Sequence, residues 1–108
     1  MLPLAITPEE YFALRQQNDP PTLLDVREPW EHATVSLPGS RLIPMAEIPS
    51  RAQLELDPDQ PIVVLCHHGV RSMSVAVWLR QQGFEEAQSL SGGIDGWSRT
   101  IDPSIPRY

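Results

Sequence analysis

Lysine is absent: all eight basic residues of the chain are arginines. Neither a lysine Schiff base nor a P-loop lysine is therefore available. Positive charge is also scarce, since eight arginines face 14 Asp and Glu and leave a formal charge of -6. With no basic stripe or cluster, non-specific binding to nucleic acid or to an anionic membrane is excluded. The single cysteine, Cys66, cannot form an internal disulfide. A lone thiol suits a reducing compartment, where it is either buried filler or a reagent. No apolar run is long enough to cross a bilayer, and Met1 to Thr7 carry no positively charged start. Neither insertion nor secretion is signalled, so the expected location is the cytoplasm. With 108 residues the chain has material for one core and not for two, and residues 1–108 are read as one domain holding the whole function.

The pattern along the chain alternates strands with helices. Leu4 to Ile6 reads as a short strand. Thr7 then caps a helix over Pro8 to Gln17, with Pro8 in the first turn, Glu10 completing a capping box and Ile6 and Tyr11 at the staple positions. Asn18-Asp19-Pro20-Pro21 ends it. Thr22 to Val26 is an apolar, partly β-branched strand, followed by one helical turn over Trp30 to Thr34 and a turn at Leu37-Pro38-Gly39-Ser40. Leu42-Ile43 is a further short strand, and Glu47 to Leu56 a weak helix entered through Pro49. Pro61 to Cys66 is the most strand-like run of the sequence. The helix after it spans Ser72 to Gln82 and stops at Gly83, a suitable residue just past a helix end. Ala87 to Leu90 is the last strand, Ser91-Gly92-Gly93 a turn, and Ile94 to Arg99 a short helix. Trp78 and Trp97 read as core. This order predicts an α/β fold with a mainly parallel sheet and helices on both faces. Residues 102–108 form an extended, Pro-rich tail, docked or mobile.

Cys66 stands at the carboxyl end of a central parallel strand, where open α/β sheets bind ligands. His67, His68, Gly69, Val70 and Arg71 follow, and Ser72 opens the helix, so strand turns into helix within very few residues. Such a loop curls its backbone, with Gly69 supplying the positive φ. The curled N–H groups and those of the first helical turn are expected to converge on the sulfur of Cys66, stabilising an anion and making thiolate available at neutral pH. The same cradle suits a persulfide or a bound oxyanion. Arg71 closes the loop, facing either an anionic substrate or Asp25 at the end of the neighbouring strand, and Arg27 can do the same from that strand. His67 and His68 are expected to point outward to the pocket mouth. Adjacent residues such as Cys66, His67 and His68 rarely aim at one ion, so no metal is expected.

The run Cys66-His67-His68-Gly69-Val70-Arg71-Ser72, with Leu24-Asp25-Val26-Arg27-Glu28 and Leu37-Pro38-Gly39-Ser40 upstream and Leu90-Ser91-Gly92-Gly93-Ile94-Asp95-Gly96-Trp97 downstream, resembles a single-domain rhodanese over nearly the whole chain. The resemblance implies a sheet of about five parallel strands and a cysteine that accepts sulfane sulfur as a persulfide and passes it to a nucleophile. Thiosulfate is the typical donor, with cyanide or a thiol as acceptor. Cys66 is accordingly the expected catalytic residue and His67 to Ser72 the expected substrate-binding loop; Asp25 and Arg27 read as supports of that loop, and no cofactor is expected. His32 departs from the family's His-x-x-Gly/Pro-Gly spacing and receives no role.

Six residues run from Cys66 to Arg71, where a phosphatase-type loop, C-x5-R, has seven. The tighter cradle suits one sulfur atom over a phosphoryl group with three equatorial oxygens. The absence of a second, resolving cysteine likewise disfavours an arsenate reductase. An enzyme of the thiosulfate sulfurtransferase type is the expectation, with a persulfide carrier in a relay between a desulfurase and an acceptor protein as the alternative.

Overall fold

Local sequence signals set the elements, and the sheet then collects them. In the computed structural model, which describes residues 2–108, Thr7 Oγ1 accepts from the Glu10 N–H at 3.1 Å and Glu10 Oε1 accepts from the Thr7 N–H at 2.9 Å. This reciprocal box starts helix α1, Pro8–Arg15, directly after strand β1, Ala5–Ile6. The helix ends two residues earlier than the sequence predicts, because the Gln16 and Gln17 N–H groups turn to carbonyls three residues back. Strand β2 is Thr22–Asp25, helix α2 Pro29–Thr34 and strand β3 Arg41–Leu42. The last lies one residue before its expected place, with Ile43 N–H still donating to the Asp25 carbonyl. A 3-10 turn, Met45–Glu47, leads into helix α3, Ile48–Glu55. Strand β4, Ile62–Leu65, helix α4, Val70–Gln81, strand β5, Ala87–Leu90, and helix α5, Gly93–Thr100, complete the chain.

The five strands form one sheet in the order β1-β5-β4-β2-β3, every pair parallel. Period-two alternation divides the strand residues between two cores. Leu24, Ile62, Val64 and Ala87 face one side with Ala52 of α3 and Val75, Ala76 and Leu79 of α4. Leu23, Val63, Leu65 and Leu90 face the other with Tyr11 of α1 and Ile94 and Trp97 of α5. The fold is thus α/β, with a five-stranded parallel sheet covered on both faces. Burying each large apolar side chain contributes about 1.5–3 kcal/mol. β4 is central, flanked by β2 and β5 and buried along its whole length. Whatever follows it emerges from the most firmly held strand of the sheet. Trp97 is core as expected, whereas Trp78 only packs against the edge of its cluster. No helix among the described residues is long and apolar enough to cross a membrane.

Candidate active site

Cys66 follows β4 directly and its residue is 1% exposed. Gly69 takes φ +106° and ends the curl of the loop, so α4 begins at Val70 rather than at the expected Ser72, with Met73 N–H closing the first turn on the Gly69 carbonyl. The Gly69 N–H donates to Cys66 Sγ at 3.0 Å. The only other hydrogen-bond partner of that sulfur among the described residues is Ser72 Oγ, 3.3 Å away, which in turn pairs with Ser89 Oγ at 2.7 Å. A ring of several amides is not what meets the resting thiol. One amide and a buried hydroxyl chain do. The outer face of the loop is fixed by α5, whose Ile94 and Asp95 N–H groups donate to the carbonyls of Cys66 and His67 at 2.9 and 3.1 Å. These donors of the first helical turn lack intrahelical partners, and the loop carbonyls supply them.

Arg71 does not reach Asp25. Asp25 is taken by Arg27, which donates through Nε at 3.0 Å and Nη2 at 2.7 Å, both residues being fully buried. Arg27 also donates to the Val35 carbonyl at 2.7 Å and to the Tyr108 hydroxyl at 2.9 Å. With its donors satisfied inside the protein, Arg27 cannot also bind a substrate, and it and Asp25 serve as supports. Removing one partner of such a buried pair costs about 3–5 kcal/mol. Arg71 instead makes an end-on pair with Glu31 of α2, at 2.7 and 3.0 Å. The Arg71 hydrogen bonds, against the opposing push of burial and with help from Tyr108 and the Glu28 N–H, lower the Glu31 carboxyl to about 2. The Arg71 side chain remains 33% exposed. Of its five N–H groups the Glu31 pair uses two, leaving three for an anion.

The histidines differ from each other. His68 is exposed, as expected of a residue at the mouth. His67 is half-covered, its ring lying between His68 at 3.9 Å and Tyr108 at 4.0 Å. Its Nε2 is buried without a partner, and burial followed by the nearness of His68 lowers its pKa, which favours the neutral ring. Ligand atoms of His67, His68 and Asp95 fall within 4.8 Å of one another. Two imidazole planes inclined by only 21° do not meet at one ion, however, and Asp95 is already held by Arg107 at 2.8 Å and Arg99 at 3.2 Å. Val70 is 77% exposed and stands at the head of an open groove along α4, lined by Met73, Val77 and Trp78.

The sequence reading missed Glu31, Ser89 and Tyr108. Glu31 had a local signal, since Glu28-Pro29-Trp30-Glu31 places a carboxylate at the third helical position, and Glu31 Oε1 indeed accepts from the Glu28 N–H at 2.9 Å. Ser89 and Tyr108 arrive from strand β5 and the tail, and nothing in their own neighbourhoods announces them.

Comparison with known proteins sets this geometry among relatives. A family model described as the rhodanese-like domain matches residues 7–100. The chain is 43% identical over 93 residues to the Rhodanese-like/PpiC domain-containing protein 12, chloroplastic, of Arabidopsis thaliana, a match that covers 83% of the chain but only 31% of that protein. It is 37% identical over 100 residues to the thiosulfate sulfurtransferase GlpE of Stutzerimonas stutzeri, covering 93% of the chain and 89% of that relative. Among solved structures, a rhodanese-related protein from Thermoplasma volcanium superposes with a TM-score of 0.83 at 29% identity, covering 96% of this chain and 98% of its own.

Proposed function

The chain belongs to the rhodanese-like domain family, and from that premise we propose that it is a sulfurtransferase moving sulfane sulfur from thiosulfate, or a similar anionic donor, to cyanide or a thiol. The observation that carries the reading is Cys66 Sγ, held at the end of β4 by the Gly69 N–H in a six-residue loop closed by Arg71, whose guanidinium keeps an exposed edge. Identity to a relative named thiosulfate sulfurtransferase supports it.

In the mechanism, the Cys66 thiolate attacks the outer sulfur of thiosulfate. An S–S bond forms to Cys66 as the S–S bond within thiosulfate breaks, and the electron pair leaves on sulfite. The Gly69 N–H and the Ser72 hydroxyl stabilise negative charge on sulfur, and the free N–H groups of Arg71 hold the sulfonate. Cyanide or a thiolate then attacks the outer sulfur of the persulfide, and Cys66 leaves again as thiolate. His67, His68 and Val70 form the rim. No cofactor takes part. A thiol that must return unoxidised after each turnover fits the reducing cytoplasm. The substrate being an anion, the local field of Arg71 must overrule the net charge of -6.

A second reading, a persulfide carrier in a sulfur relay, is favoured by the apolar groove that starts at Gly69 and Val70 beside the loop, since an acceptor protein needs a surface next to the sulfur. Steady-state transfer from thiosulfate to cyanide tests the first reading. Cys66→Ser, which swaps the thiol for a slightly smaller hydroxyl that is still able to accept from the Gly69 N–H, is expected to abolish turnover while the far-UV spectrum and unfolding midpoint stay near wild type. A Cys66→Ser protein with undiminished turnover would refute the assignment.

A further inference from the structure

We propose that Tyr108 is a positioning residue that acts through Glu31 to aim Arg71 at anionic donors, so that the tail sets the charge preference of the cysteine loop. The inference rests on the sulfur-transfer reading of that loop. Tyr108 lies 77 positions from Glu31, yet its hydroxyl donates to Glu31 Oε2 at 2.6 Å while accepting from Arg27 Nη1 at 2.9 Å. It therefore joins two ion pairs into one chain, Asp25 to Arg27 to Tyr108 to Glu31 to Arg71, in which Asp25, Arg27 and Glu31 are buried while Tyr108 and Arg71 are partly exposed.

The accounting at Glu31 shows why that bridge matters. Oε1 accepts from Arg71 and from the Glu28 N–H, and Oε2 accepts from Arg71 and from Tyr108. Both oxygens are doubly occupied, so the carboxylate cannot pivot after a moving guanidinium without breaking a hydrogen bond to a fixed donor. Arg71 makes no other hydrogen bond among the described residues, and Glu31 alone decides which edge of its guanidinium faces the loop mouth.

Tyr108 is itself delivered firmly. The Asp102 N–H donates to the Trp97 carbonyl at 3.1 Å, Ser98 Oγ donates to the Ile105 carbonyl at 2.5 Å, and Arg107 pairs with Asp95 at 2.8 Å. The ring then stacks on His67 within 9° of parallel, with Trp30 edge-on at 6.0 Å. Burial, followed by the hydrogen bond to Glu31, raises the phenol's pKa, so it stays a proton donor throughout the physiological range. Ring and hydroxyl thus have separable tasks. The ring anchors the tail on the loop, and the hydroxyl completes the clamp on Glu31.

The test uses two alkylating probes, iodoacetate and iodoacetamide, which present the same reactive carbon with and without a negative charge. Cys66 is the only cysteine, so each rate reports one sulfur. Tyr108→Phe keeps the stack and removes the hydroxyl. It is expected to lower the ratio of iodoacetate to iodoacetamide rates about threefold, in the same direction as Arg71→Ala, while the iodoacetamide rate stays within about twofold of wild type. In turnover, KM for thiosulfate rises by the same factor of about three with kcat within about twofold, whereas a merely structural residue would depress kcat or both alkylation rates together. Tyr108→Ala, if it folds, gives at least the Phe effect. A Tyr108→Phe ratio equal to wild type overturns the proposal, as does an equal fall in both alkylation rates. Failure of the sulfur-transfer reading is recognised separately, by a wild-type protein that takes no sulfur from thiosulfate; the alkylation ratio still decides the role of Tyr108.

Discussion

Adding one methyl group at Gly93 tests how rigidly α5 holds the cysteine loop. Gly93 opens that helix at φ +59°, and a Cβ there would fall on the carbonyl oxygens of Cys66 and His67, with the His67 carbonyl carbon 2.6 Å away. The opposed atoms are backbone, tied to the Ile94 and Asp95 N–H groups, so no side-chain rotation relieves the overlap. Forcing a non-glycine residue into the left-handed region costs about 1–2 kcal/mol. Displacing packed backbone adds about 1–3 kcal/mol, so Gly93→Ala is expected to lose about 2–5 kcal/mol in all. Gly83→Ala supplies the reference, because Gly83 also has positive φ, +99°, but nothing lies within 4 Å of its would-be Cβ. It should show the backbone part alone, about 1–2 kcal/mol. Urea unfolding reads both variants, and the Cys66 alkylation rate reports whether the loop has moved. If Gly93→Ala is no more destabilising than Gly83→Ala and leaves alkylation unchanged, the loop is not held by α5 and the reasoning fails.

The Glu31 clamp makes predictions of its own. Glu31→Gln, which keeps the shape and removes the charge, is expected to cost about 1–3 kcal/mol at pH 7, below the figure for a fully buried pair because Arg71 is partly in water. The pH dependence follows from a folded-state carboxyl held at about 2 against 4.5 for the free group. A depressed carboxyl contributes its full stability above the unfolded pKa and loses it as pH falls towards the folded value. The gap between wild type and Glu31→Gln, measured by denaturant midpoint, should therefore be constant above about pH 5 and close progressively between about pH 4.5 and 2. A gap that persists unchanged to pH 2 would mean that the Arg71 pair is not its source.

What the sequence makes legible is whatever depends on neighbours along the chain. The Thr7 box, Pro8 at the helix start, the apolar run ending in Cys66 and the loop that turns into α4 all rest on contacts a few residues apart. Each can be read before any tertiary structure is known. The two-sided sheet follows from strands alternating with helices. The partner of Arg71 is a different kind of fact. Asp25 and Glu31 are both carboxylates within reach of the loop in sequence terms, and the choice between them depends on Arg27 having claimed Asp25 inside the core. Charge pairing among buried groups is a many-body problem that spacing does not solve. Tyr108 lies further still from legibility, since an extended Pro-rich tail carries no periodicity from which a docking site could be derived. The expected crown of amides around the thiol was too generous: among the described residues the Gly69 N–H is the one amide that donates to the sulfur, while the first-turn donors of α5 hold the loop carbonyls.

The claim on which the rest stands is that Cys66 carries sulfur covalently between donor and acceptor. Intact mass after incubation with thiosulfate measures this without turnover or a coupled assay. The account predicts a gain of about 32 Da, one sulfur atom, that cyanide removes and that Cys66→Ser never acquires. An unchanged wild-type mass under conditions in which the protein still turns over thiosulfate, or the same gain in Cys66→Ser, would contradict it.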